Sequence, residues 1–196
     1  MKILADNDVI GLKEIVTSYG EASYRAEQIF SGITRFYAYD EMNNIPKSLR
    51  EKLSQEYFSQ ALSVEKKILS TDGTTKYLYK LTDGNIIEGA LMRQPYGNTL
   101  CVSTQVGCRM GCAFCASGIG GMVRNLTRGE ILSQVLCVNR EEGGTQSERA
   151  ITNIVLMGSG EPLDNYDEVT GFLRLITSRS SSSAERGGGS VSAEPM

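Results

Sequence analysis

A chain of 196 residues with 40% hydrophobic and 22% charged residues has the make-up of a soluble globular protein. It has room for one domain, or for a small domain joined to part of a larger one. No apolar run approaches the ~18 residues of a membrane span, and MKILADNDVIGLKE lacks a secretory core, so the expected location is the cytoplasm. In that compartment the five cysteines are read as ligands, nucleophiles or core residues rather than disulfides. The absence of histidine excludes Ser-His and Cys-His catalysis and histidine metal sites within this chain.

In chain order, residues 7–54 read as helical. Ala26, Ile29, Phe30, Ile33 and Phe36 or Tyr37 recur at helical spacing, and a further short helix follows Pro46 with Leu49 and Leu53 inward. Residues 62–103 change to short β-rich runs. Asp72-Gly73 and Asp83-Gly84 are hairpin signals, which predicts an antiparallel meander. In LTRGEILSQVLCVNR, Thr127 and Glu130 form a capping-box pair that predicts a helix start. ITNIVLMG is expected to be a strand buried on both faces, followed by an amphipathic helix in DNYDEVTGFLRLIT. Strand, loop, helix, strand, loop, helix predicts the opening of a parallel α/β sheet or barrel. SRSSSSAERGGGSVSAEPM, residues 178–196, is expected to be disordered.

Net charge is −3, yet it is unevenly placed. From Gly89 to Gly129 there is no acid, while Arg93, Arg109, Arg124 and Arg128 are present. Either this is ordinary fluctuation or it marks a positive surface suited to an anion or an RNA backbone.

Inside that stretch, GCRMGCAFCASG holds Cys108, Cys112 and Cys115 at C-x3-C-x2-C spacing. Zinc needs a fourth ligand, for which Cys101 or Cys137 could serve, but no second C-x2-C pair exists. A 4Fe–4S cluster on three thiolates leaves one iron open to a small ligand, which matches the count of three. Cys137, mid-helix among apolar residues, is read as packing.

C-x3-C-x2-C with an aromatic before the third cysteine resembles the signature of radical S-adenosylmethionine enzymes. NTLCVSTQVGC, RNLTRGEILSQV, ITNIVLMGSGEPLDNYDEV, DGTTKYLYKLTDGNIIE and the N-terminal GEASYRAEQIFSGI narrow the resemblance to the RlmN/Cfr-type RNA adenine methyltransferases. The likeness covers roughly residues 10 to 177. It implies a partial (β/α) barrel preceded by a small helical accessory domain and a β meander. The resulting divisions are 1–60 (helical, RNA-contacting), 61–98 (meander), 99–177 (two β/α units) and 178–196 (tail). It also implies methylation of adenine carbon 2 in 23S rRNA and tRNA, with a 4Fe–4S cluster on Cys108, Cys112 and Cys115, and S-adenosylmethionine as cofactor. An electron donor such as flavodoxin, no membrane association and a monomeric full-length enzyme complete the implied picture.

By the same resemblance Gly160 and Glu161 contact the cofactor's amino group; read alone, Glu161 is equally a helix-start acid before Pro162. Glu88 corresponds to a proton acceptor, and a partly buried carboxylate there would have a raised pKa. Cys101 corresponds to a cysteine that pairs with a methyl-carrying one, or is a strand core residue. No cysteine follows Cys137 to carry the methyl group, and the α/β pattern stops after two units, so the chain is expected to be C-terminally truncated.

Overall fold

A computed structural model describes residues 1–145 and 148–177. The segment expected to be disordered, 178–196, lies outside the described residues. The chain opens with three helices: α1 (Val9–Ser18), α2 (Arg25–Thr34) and α3 (Lys47–Glu56). Asp8 caps α1 by accepting a 2.8 Å bond from the Gly11 N–H. The spaced apolar residues behave as their period requires: Ala26, Ile29, Phe30 and Ile33 of α2 meet Leu12 and Val16 of α1 and Leu49 and Leu53 of α3 in one core. Two short strands, β1 (Lys2–Ile3) and β2 (Tyr57–Phe58), pair in parallel and tie the start of this region to its end.

The meander follows as β3 (Leu62–Leu69), β4 (Thr75–Leu81), β5 (Ile86–Gln94) and β6 (Gly97–Cys101), each antiparallel to its neighbour. Both Asp-Gly turns place glycine at positive φ, 84° at Gly73 and 88° at Gly84. A separate hairpin, β7 (Gln105–Gly107) with β8 (Met122–Asn125), brackets the cysteine segment. Helix α4 (Arg128–Glu141) starts at the Thr127/Glu130 capping box. Strand β9 (Asn153–Val155) then returns parallel to β6, and α5 (Tyr166–Thr177) closes the described chain. The sheet order is β3-β4-β5-β6-β9, so meander and α/β pattern share one continuous sheet. It is a mixed α/β architecture.

Helices α4 and α5 pack on one face of that sheet. Tyr77, Tyr79, Ile87, Leu91, Leu100 and Val102 point into them and meet Ile131, Val135, Val138 and Phe172. Strand alternation and register put Lys76, Ala90, Cys101 and Val155 in one row on the opposite, open face.

One expectation fails here. ITNIVLM is not a strand buried on both faces: only three residues pair, Ile154 and Val155 are half-buried, and Met157 is 79% exposed. The reason is position, since β9 is the sheet's last strand among the described residues and bonds only to β6. No helix among the described residues is long and apolar enough to cross a membrane.

The helical region meets the rest of the molecule at the first turn of α4. The Gly129 N–H donates to Asp6 Oδ1 at 2.8 Å, and a Cβ on Gly129 would lie 2.7 Å from the backbone of Ala5. Burial pushes the Asp6 carboxyl up, against bonds from Thr127 and Gly129 that pull it down.

Candidate functional site

The cysteine segment is a long excursion between two paired strands. Its neck demands glycine: Gly107 has φ 74°, and an added Cβ would lie 1.9 Å from the Gly121 carbonyl oxygen. Cys108 sits buried at the neck, Arg109 to Phe114 are all exposed, and Cys115 is half-buried on the return. The Cys115 N–H donates to the Cys112 carbonyl at 3.0 Å, a tight turn joining those two cysteines. Backbone and hydroxyl bonds from Ser117 hold the Cys115 thiol below its ordinary range, against some burial. All five cysteines are free. Among the described residues no three Cys, Asp or Glu side chains converge closely enough to hold a metal ion. The three thiols therefore share a loop without being gathered in this conformation. As a donor set, three free thiols within one short loop fit a three-thiolate cluster.

The GSGEP segment, residues 158–162, lies against the base of this loop. Gly158 N–H donates to the Val102 carbonyl at 3.0 Å, and Ser159 O accepts from Thr104 and Gln105 N–H at 2.9 and 3.1 Å. Space here is as short as at the neck: a Cβ on Gly158 would lie 2.8 Å from the Ser103 nitrogen. Gly160, at φ 104°, lies over the Gln105 side chain. Ser117 of the cysteine loop and Ser159 approach to 3.4 Å through their hydroxyls. The two segments named by sequence are thus side by side. Glu161 does take the helix-start role: its Oε1 accepts the Leu163 N–H at 3.0 Å, ahead of the 3-10 turn Pro162–Asn165.

Glu88 and Cys101 lie on the open sheet face, on adjacent strands. The expectation of a partly buried Glu88 is corrected, because its side chain is 52% exposed and pairs with Lys76 at 2.9 Å. Its backbone is bonded to the site: the Glu88 carbonyl accepts the Ser103 hydroxyl at 2.7 Å, and Ser103 Oγ accepts the Ser159 N–H at 2.8 Å. Cys101 is half-buried; burial pushes its thiol up, against a bond from the Met157 backbone. Cys137 is buried against the sheet, as read from its helix position.

The reading of the acid-free stretch as a positive surface is also corrected. Arg93 pairs with Glu142, Arg109 with Asp164, Arg124 with Asp83 and Glu130, and Arg128 with Glu168. Each arginine meets an acid from outside the stretch, so folding neutralises what the linear sequence left unbalanced.

Three further residues join the site without having been legible beforehand. Gln105 is fully buried and bonds to Asn125, Asp164 and Glu161. Asp164 also holds Arg109, the residue after Cys108, and that guanidinium, first of the Asp164 partners, keeps the carboxyl below its ordinary value. Asn165 donates to the Thr104 and Leu126 carbonyls at 2.8 and 2.9 Å, pinning both ends of the β7–β8 hairpin. A glutamine between Val102 and Val106 in VSTQV is a weak sequence signal for a buried polar anchor; Asp164 and Asn165 give none.

Residues 3–58 match the family described as the ribosomal RNA large subunit methyltransferase N-terminal domain. A Clostridium novyi protein named "Probable dual-specificity RNA methyltransferase RlmN" is 49% identical over 179 residues, 90% of this chain and 51% of its own. The Clostridium perfringens protein of that name is 52% identical over 90% of this chain and 50% of its own. The crystal structure of a radical SAM methyltransferase from Sphaerobacter thermophilus superposes with a TM-score of 0.84 at 39% identity, over 91% of this chain and 52% of that one. The chain is similar to these RlmN proteins over about 90% of its own length and spans about half the length of the curated relatives it matches.

Proposed function

We propose that this chain supplies the cluster- and cofactor-binding portion of a radical S-adenosylmethionine methyltransferase directed at carbon 2 of adenine in 23S rRNA and tRNA. The observation that carries the reading is the direct seating of the GSGEP turn against the base of the three-cysteine loop, at the ends of β6 and β9. In open and closed α/β sheets that end of the strands is where ligands are bound.

Cys108, Cys112 and Cys115 would hold a 4Fe–4S cluster, and Gly160 and Glu161 the amino end of S-adenosylmethionine. Such a cluster supplies the electron that cleaves the cofactor. The chain's own residues do the holding. Glu161 has one oxygen fixed by the Leu163 N–H, which aims the other oxygen for an ammonium. Gly160, lacking a side chain, lets a ligand reach the backbone. Glu88 and Cys101 face the same open side of the sheet, where a base would enter; Glu88 is the proton acceptor in this reading. The helical region, 1–60, would contact RNA, and the strands 61–98 would link it to the portion 99–177. The reading carries a flavodoxin-like electron donor, a cytoplasmic location and a monomeric full-length enzyme with it.

The test is anaerobic reconstitution of the purified chain with iron and sulfide. About four irons per chain, with an altered electron-resonance signal on adding S-adenosylmethionine, is the expected result. One zinc per chain, with no iron uptake and no response to the cofactor, would overturn it.

A further inference from the structure

Gln105 has no exposed surface, yet its amide reaches three residues on two other segments. Its Nε2 donates to Asn125 Oδ1 at 2.8 Å, on the strand that closes the cysteine loop, and to Asp164 Oδ2 at 2.9 Å, beyond the GSGEP turn. Its Oε1 accepts the Glu161 N–H at 3.0 Å. Gln105 itself begins β7, the strand that opens the loop. The other oxygen of Asp164 accepts from Arg109, which follows Cys108. Gly160 rests on the Gln105 stem, where an added Cβ would come within 2.6 Å. Backbone bonds fix Ser159 against Thr104 and Gln105. Glu161 and the turn after it are tied to the loop by the Gln105 amide and the Arg109–Asp164 pair.

We propose that Gln105 is a positioning residue that keeps the cysteine loop and the Gly160–Glu161 turn in a single register. A molecule held by the turn then meets the loop at a fixed distance. The proposal rests on the reading above, in which that molecule is S-adenosylmethionine. A buried amide needing only its own satisfaction could take partners from one segment; this one joins the strand before the cysteines, the strand after them and the turn opposite. Misplacement by about 1 Å at such a junction costs on the order of 100-fold in reactions that depend on orientation.

Two variants and their rescue test it. In Gln105→Glu the new carboxylate faces the carboxylate of Asp164, and repulsion drives it away from both Asp164 and the Glu161 N–H, so the register is broken. Adding Asp164→Asn turns that neighbour into a donor, and the buried carboxylate regains its partners. Gln105→Leu removes every bond at similar volume. Two readouts are taken: amide hydrogen exchange at Glu161 in the metal-free chain, and S-adenosylmethionine dissociation constants after iron–sulfur reconstitution. Glu161 exchange should rise about tenfold in Gln105→Glu and Gln105→Leu and return in the double variant, since one lost hydrogen bond is worth ~1.4 kcal/mol or a factor of ten. The cofactor should bind about tenfold more weakly to Gln105→Glu, with iron content unchanged, and recover in the double variant. Unchanged Glu161 exchange, or cofactor binding as tight in Gln105→Glu as in the parent chain, overturns the positioning role. The exchange measurement needs neither iron nor cofactor. A parent chain that binds no S-adenosylmethionine therefore overturns the functional reading, while exchange still decides the register. Where Gln105→Leu fails to fold, the rescue pair alone decides.

Discussion

The two edges of the five-stranded sheet are built in opposite ways. At one edge, β3 is eight residues long, breaks its register between Val64 and Lys66, and carries Lys66 and Lys67, the latter paired with Glu141. A bulge and charge on an outer strand oppose pairing with another chain. At the other edge, β9 has three paired residues, and Ile151 to Gly160 contains no charged residue. Exposed Met157 and Leu163 lie beyond it. The guarded edge ends the sheet, whereas the bare edge lies beside the cysteine loop and the GSGEP turn. The guarded strand and the candidate site occupy different sides of one sheet.

The sharpest way to probe that contrast uses glycine. Gly107, on the bare side, has both positive φ and no room for a side chain, whereas Gly73, in the β3–β4 turn, has φ 84° but nothing within 4 Å of an added Cβ. Gly107→Ala should cost more than about 3 kcal/mol in denaturant unfolding, because backbone must move. Gly73→Ala should cost about 1 kcal/mol, from conformation alone. Equal costs would erase the distinction between the two sides.

Cys137 reports on the packed face close to the guarded edge. Burial first, then Glu141, pushes its thiol from 9.0 up to about 12, against Lys67 and Arg140. The fold thus favours the neutral thiol. Its contribution is complete below pH 9 and is lost as pH rises toward 12, where the unfolded chain ionises first. The stability advantage of the parent chain over Cys137→Ala should therefore shrink across that window in urea titrations, and a constant difference would show the thiol is not held neutral.

Tyr79, on the strand next to β3, is fully buried, and its hydroxyl has no partner among the described residues. Tyr79→Phe should raise stability by about 1 kcal/mol by removing an unsatisfied polar group. A loss of that size would mean the hydroxyl has a partner after all.

The smallest effect on folding, and the most telling for the edges, is expected of Met157→Lys. An exposed substitution should leave stability within about 0.5 kcal/mol. A charge beside the bare edge should weaken any self-association of the chain about tenfold in sedimentation, while Lys67→Thr at β3 should strengthen it. Association indifferent to both changes would remove the edges from consideration.

What could be read from sequence was what repeats or what turns. Ile29, Phe30 and Ile33 declared their helix by spacing, Thr127 and Glu130 declared a helix start, and two Asp-Gly pairs declared the meander. The three cysteines and GSGEP were visible as short local strings. Contacts between distant residues were not visible. Arg109 meets Asp164 across 55 positions and Arg124 meets Asp83 across 41, so the apparent basic stretch dissolved on folding. ITNIVLM failed for a related reason, since hydrophobicity states that a segment can be buried and says nothing about how many neighbours it has. Gln105 was missed because the partners that define it lie 20 to 59 positions away.

The flush seat of Gly129 on Ala5 and Asp6 bears on how the chain can be handled. Ile3, Leu4 and Ala5 are buried while Met1 is 65% exposed. An affinity tag joined ahead of Met1 would project into solvent and leave the seat untouched. Trimming the first six residues, as if they were a disposable leader, would uncover the first turn of α4 and remove the carboxylate that receives the Gly129 N–H. Since Thr127 and β8 immediately precede that turn, the damage would reach the cysteine loop from residues far earlier in the sequence.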